Sequence, residues 1–171
     1  MAIHAVVRLD DMTGTKVGTH LKSVKFYNGA SAAAIDNAQL VVPGEKLGRE
    51  VYKATAPSAT SVAEDLYLIA SEELFYDQTV THYLTEWENA ADKPARAYKL
   101  VPGADAFSAT AEAFSGTPAD GKFVGFAADS TKLLVQDTKD AKTIGVIKSH
   151  ETVGYGSGAY TYYMIDVVAH A

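Results

Sequence analysis

The chain has no cysteine, which excludes disulfides and every thiolate metal site. That absence suits a protein made and used in a reducing compartment. No apolar run approaches the length needed to cross a bilayer, so no membrane partner is expected. The start, Met1 to Asp11, is too short and too interrupted for a signal peptide, and no basic segment precedes its apolar residues. Cations are also scarce. Fifteen Lys and Arg stand against 21 Asp and Glu, a formal net charge of −6. Nucleic-acid binding needs clustered Lys and Arg, so no nucleic-acid partner is expected. The charge reads first as a contribution to solubility.

What is present is enough to build a core. The chain has 171 residues and is 47% hydrophobic, and a chain of this size buries about 70% of its unfolded surface. It fits one domain, or one domain with an appended arm. Gly and Pro are spread evenly. Asn28-Gly29, Pro43-Gly44, Pro57, Pro102-Gly103, Gly116, Pro118, Asp120-Gly121 and Gly154 to Gly158 cut the chain into short pieces. Short strands between such breaks predict a mainly β fold, an antiparallel β-barrel or sandwich.

Individual runs agree. Leu66, Leu68 and Ala70 alternate with Tyr67, Ile69 and Ser71. Residues 122–127 and 132–137 read as a strand pair joined by Ala128 to Thr131, with Asp120-Gly121 as the turn before Lys122. Thr143 to Lys148 is a further strand. From Tyr160 to Val168, Thr161, Tyr163, Ile165 and Val167 fall on one face and Tyr160, Tyr162, Met164 and Val168 on the other. A strand apolar on both faces belongs in the centre of a sheet or between layers. One short helix is predicted near residues 83–91, with Thr85 as N-cap, Glu88 completing a capping box and Trp87 as its packing anchor.

Residues 1–36 have a different texture, and two readings stand: an extended N-terminal arm, or an edge hairpin of the main domain, residues 37–171. Arg8, Lys16, Lys22 and Lys25 make this segment more basic than the rest. If it is an arm, it can wrap a surface or add a strand to a partner's sheet edge.

The search for chemistry yields no catalytic residue, no cofactor site and no metal site. His4, His20, His82, His150 and His170 include no pair at i, i+2 or i, i+4, so no local metal pair exists. A site assembled from distant positions stays open. Ser157, in Gly154-Tyr-Gly-Ser-Gly, lacks the glycine spacing of a nucleophile elbow. The paired acids Asp10-Asp11, Glu64-Asp65 and Glu72-Glu73 read as solvated faces or edge protection. Tyrosine is the notable excess, at ten residues, and Tyr is enriched where proteins meet. Tyr155 and Tyr160, which flank the Gly-rich loop, are the candidates for exposure.

Three segments then carry a resemblance: Asn37-Ala-Gln-Leu-Val-Val-Pro-Gly, Gly48-Arg-Glu-Val-Tyr-Lys-Ala-Thr-Ala-Pro, and Glu64-Asp-Leu-Tyr-Leu-Ile-Ala-Ser-Glu-Glu-Leu-Phe-Tyr-Asp. It continues through Leu84 to Leu100, Asp105 to Phe114, Gly121 to Val124, Ser130 to Leu133, Ile144 to Ile147, Glu151 to Gly154 and Tyr163 to Val168. In order and wording these resemble the capsid decoration, or cement, proteins of tailed bacteriophages. The likeness covers about four fifths of the chain, from Asn37 onward, and contains no catalytic motif. It implies a non-enzymatic head protein on the capsid exterior of the virion, assembled in the host cytoplasm. The implied partner is the major capsid protein, and a homo-oligomer, trimer or dimer, is implied on the shell. The candidate capsid contacts are Arg8, Lys16, Lys22 and Lys25. The rival readings are a carbohydrate-binding module, with Tyr162, Tyr163 and Trp87 lining the sugar site, and a tail or baseplate component.

Overall fold

The computed structural model describes residues 3–77 and 79–169. It is mainly β, as the turn-punctuated sequence predicts, with 42% of residues in strands and no long helix. Thirteen strands follow one another along the chain. They are β1 (Val7–Asp11), β2 (Leu21–Asn28), β3 (Ser31–Ala32), β4 (Leu40–Lys46), β5 (Val51–Thr55), β6 (Tyr67–Ile69) and β7 (Ala95–Lys99), then β8 (Ala106–Thr110), β9 (Phe114–Ser115), β10 (Phe123–Gly125), β11 (Leu133–Gln136), β12 (Thr143–Val153) and β13 (Tyr160–Val167). The strands form two units. One is a closed five-stranded barrel in the order β2-β5-β4-β6-β7, sealed by pairing of β7 back onto β2. The other is a seven-stranded sheet in the order β1-β8-β13-β12-β10-β11-β9.

Alternation along β6 shows how the units share a core. Tyr67 and Ile69 point into the barrel, beside Val24, Val41, Ala54, Ala95 and Ala97. Leu66, Leu68 and Ala70, one residue out of phase, point outward. They meet Phe107, Val124, Phe126, Leu133, Ile147 and Ile165 in the core beneath the large sheet. The two-sided apolar character of β13 has a similar origin, because it lies centrally between β8 and β12. β10 and β11 form the predicted antiparallel pair.

Close packing at the centre of the large sheet depends on one missing side chain. A Cβ on Gly145 would lie 2.5 Å from Ile165 Cγ2 and 2.9 Å from the carbonyl oxygen of Asp166. The backbone of β13 cannot retreat without breaking its ladder to β12. Gly145→Ala is therefore expected to cost about 1–3 kcal/mol, read as a lower midpoint in urea unfolding with an unchanged slope.

Of the two readings open for residues 1–36, the extended arm is not what residues 3–36 form, and the expected helix is also corrected. β1 pairs with β8, and β2 pairs with both β5 and β7 as a staple of the barrel wall. Ala5, Val6 and Met12 are buried, and Asp105 accepts hydrogen bonds of 2.6 Å from both the backbone N and Oγ1 of Thr13. No structural boundary falls between residues 36 and 37. Only the β2–β3 turn at Asn28-Gly29, with Gly29 at φ +64°, has the character of a hairpin.

The helix expected over residues 83–91 is a single 3-10 turn, Leu84–Glu86. Its box is set two residues earlier than Thr85 and Glu88: the Glu86 carboxylate accepts from the backbone N of Tyr83 at 3.3 Å. Trp87 is already extended, at φ −101° and ψ 138°. Two turns of helix are marginal alone, and here a better competitor exists. Asn89 exchanges backbone hydrogen bonds of 3.0 Å with Ile35 in both directions, which demands extended chain.

Candidate functional site

Among the described residues, most of the large apolar side chains that remain exposed lie on two segments that touch and make an apolar end; Val17, Leu47 and Val62 stand elsewhere. Leu74, Tyr76, Val80, Tyr83 and Leu84 lie on the long connection between β6 and β7. Val153 and Tyr155 lie at the tip of the β12–β13 hairpin, and Ile3 lines a groove with Thr85 and Tyr160. Tyr76 and Tyr155 are each 97% exposed, so neither contributes to the core. Connection and hairpin touch: the Leu84 backbone N donates to the Tyr160 hydroxyl at 3.1 Å. Tyr83 Cε1 lies 3.6 Å from where a Cβ on Gly158 would stand.

Among its described residues this connection has no strand, and several of its side chains bond one another. Phe75 and His82 stack with ring centroids 4.4 Å apart and planes 5° from parallel. His82 Nε2 meets the Asp77 carbonyl at 3.0 Å, and Nδ1 meets Glu86 Oε2 at 3.3 Å. Asp77 Oδ1 accepts from the Thr79 hydroxyl at 2.6 Å and its backbone N at 2.9 Å. The Thr79 hydroxyl bond is the main reason the Asp77 carboxyl is held below the usual carboxylate range. Such a turn presents Tyr76 and Val80 outward in place of burying them.

The root of the connection is Asn37, fully buried. Its Nδ2 donates to the Ser71 carbonyl at 2.9 Å and to Glu73 Oε1 at 2.7 Å. Its Oδ1 accepts from the Ser71 backbone N at 2.9 Å and from Asn89 Nδ2 at 3.2 Å. All four bonding positions of the amide are filled. Ala38 next to it is held at φ +58°, a strained conformation for a residue with a Cβ.

The candidate contact residues are distributed over both units. Arg8, on β1, pairs with Asp10 at 2.8 Å and with Glu151, and lies 5.2 Å over the Tyr162 ring. Its pKa is raised, chiefly by the bond to Glu151. Tyr162 is itself buried, and burial, followed by the charge of Glu73, raises its hydroxyl pKa. Lys16 pairs with Asp11 at 3.1 Å. Lys22 is directed toward the barrel, its ammonium 4.7 Å from the Tyr52 ring and 4.9 Å from the Tyr67 ring, two cation–π contacts. Lys25 is three residues along β2 and so faces the other side. Of the two tyrosines expected to be exposed, Tyr155 is. Tyr160 is half-buried, because its hydroxyl is turned back onto Leu84.

A shallow groove of about 390 Å³ runs beside this end, lined by Ile3, Thr85, Thr110, Glu112, Tyr160 and Tyr163. His4, Asp36 and Glu88 converge nearby, their donor atoms all within 4.8 Å of one another. These three are far apart in sequence, so no spacing rule finds them. Ser157 has only its backbone described, in the 3-10 turn Gly156–Gly158, and His170 lies outside the described residues. No family model, no curated protein and no solved structure matches the chain.

Proposed function

We propose that the chain is a non-enzymatic virion protein that attaches to the outside of a tailed-bacteriophage capsid and decorates or cements the lattice of the major capsid protein. The observation that carries this reading is the apolar end itself. Exposed Tyr, Leu and Val side chains, ordered yet unburied, are the composition of a surface made to be covered. The resemblance of the segments from Asn37 onward to decoration proteins supplies the kind of partner. In this reading the protein resides on the virion exterior, is assembled in the host cytoplasm, and acts as a trimer or dimer whose closed symmetry satisfies a repeated contact. Arg8, Lys16, Lys22 and Lys25 remain contact candidates. Lys16, outermost of the four, is the most available to an acidic neighbour.

The test is cosedimentation with preformed heads that lack the protein. Tyr76→Ser with Tyr155→Ser is expected to leave the circular dichroism spectrum and melting unchanged, since both side chains are in solvent. Hot-spot tyrosines cost at least about 2 kcal/mol each when truncated, so head binding is expected to weaken by about thirtyfold or more for each of the two. Undiminished binding of the double variant excludes this surface, and absence of wild-type binding to heads excludes the decoration reading.

The groove beside Tyr160 and Tyr163 favours a second reading, a carbohydrate-binding module. Specific retention on one sugar class in a glycan array, lost in Tyr163→Ala, would select it.

A further inference from the structure

We propose that His4, Asp36 and Glu88 form a binding site for one divalent transition-metal ion of the Zn²⁺ type, which staples the N-terminal segment to the barrel. One imidazole and two carboxylates form a donor set suited to Zn²⁺ and its neighbours. Mg²⁺ and Ca²⁺ prefer oxygen alone. The His4 Nδ1 atom lies 2.7 Å from Asp36 Oδ1 and 3.9 Å from Glu88 Oε2. Donors bound tetrahedrally to zinc at about 2.0–2.2 Å stand roughly 3.4 Å apart. These two separations bracket that value and all three donors lie within 4.8 Å of one another, so side-chain adjustment, without movement of the backbone bridge, would close the site.

The frame behind the donors is rigid. Asp36 and Glu88 each adjoin one member of the Ile35–Asn89 bridge, which is closed by two backbone bonds of 3.0 Å. The buried Asn89 side chain adds bonds to the Ile35 carbonyl and to Asn37. His4 is placed independently, its backbone N donating to the Thr85 carbonyl at 2.9 Å. The second Asp36 oxygen accepts from the Ala5 backbone N at 3.3 Å, which orients the first toward His4. The half-exposed Glu88 carboxylate completes the trio, 3.9 Å from His4 Nδ1 and within 4.8 Å of the Asp36 donor. His4 and Asp36 are mostly shielded while Glu88 is half-exposed, so the ion has a path in and a fourth position for water. The staple would also fix Ile3 and the turn bearing Leu84, both at the apolar end.

The test uses the full chain stripped with EDTA, titrated with ZnCl₂ by calorimetry in a non-chelating buffer and melted with and without the metal. The expected result is one ion per chain and a rise in Tm that EDTA reverses. Loss of a residue that merely orients a ligand weakens metal binding by about 10–100-fold, so His4→Ala and Glu88→Gln are each expected to weaken it at least that much. His150 with Asp120 at 2.8 Å is a two-donor pair remote from this connection and serves as the control. His150→Ala is expected to leave the affinity unchanged. Should His4→Ala not fold, the half-exposed Glu88→Gln decides alone. The proposal is overturned if wild type takes up no stoichiometric Zn²⁺, if Glu88→Gln binds as tightly as wild type, or if the control variant abolishes binding instead.

Discussion

Removal of residues 1–30 is expected to leave a chain that does not fold. The deletion takes away β1 and all but the short partner of the β2–β3 hairpin. Without β2 the barrel opens, because β5 and β7 each lose the strand that joins them. Val24 leaves the barrel interior and Met12 leaves the second core, both almost completely buried. Asp105 keeps a buried carboxylate but loses both Thr13 donors. Losing two buried large side chains alone costs about 2–5 kcal/mol each, and two newly opened barrel edges add unpaired backbone groups. Native domains have a total margin of only about 5–15 kcal/mol. The expected observation is loss of cooperative melting and of near-ultraviolet dichroism. A soluble remnant with a wild-type melting transition would refute it. Loss of head binding in this deletion would therefore report unfolding, so any attachment role of the segment is read from Lys16→Ala and Lys25→Ala.

Asn37→Ala is expected to be the most damaging single change at the apolar end. The methyl group removes the partner of the Ser71 backbone N and of the Ser71 carbonyl, in a part-buried site, and one of the two bonds of the buried Asn89 amide, which keeps the Ile35 carbonyl. A stranded buried polar group costs about 1–3 kcal/mol, so the total falls in the range of about 2–5 kcal/mol once part of the site relaxes. The effect is also local. Ser71 begins the connection that carries Tyr76, and Asn89 closes it. Hydrogen exchange is expected to accelerate across residues 71–89 before it does in β12 or β13. Uniform acceleration, or none, would show that Asn37 does not anchor this segment.

Part of the large sheet was legible in the sequence, because two of its pairings, β10 with β11 and β12 with β13, join neighbours in the chain, whereas β1 with β8 and β8 with β13 do not. Asp120-Gly121, the β10–β11 pair and the two-faced run from Tyr160 announce themselves within a few residues. The barrel was only half legible. Its closure rests on a parallel pairing of β2 with β5, across two intervening strands, and no short window records that. The same cause left residues 1–36 undecided between arm and hairpin, since their irregular texture reflects strands shared between two units. The helix near Trp87 failed for another reason: its capping pattern is real but short, and the Ile35–Asn89 bridge claims the same residues. Tyr155 was legible from its glycine neighbours. Tyr160, beside the same glycines, was not, because a backbone N from Leu84 captures its hydroxyl. The meeting of His4, Asp36 and Glu88 required three turns of the chain that only the folded structure supplies.

The position of β13 between β8 and β12 has a consequence for how the protein is made. Until Tyr160–Val167 leaves the ribosome, β1 with β8 and β12 with β10, β11 and β9 are two half-sheets sharing no ladder. The barrel strands are all synthesised earlier, but the core that covers their outer face, including Leu66 and Leu68, needs the completed sheet. Apolar surface therefore waits, uncovered, for β13 to arrive. Pairings so distant in sequence favour slow folding, and a form that lacks β13 exposes edges that invite aggregation.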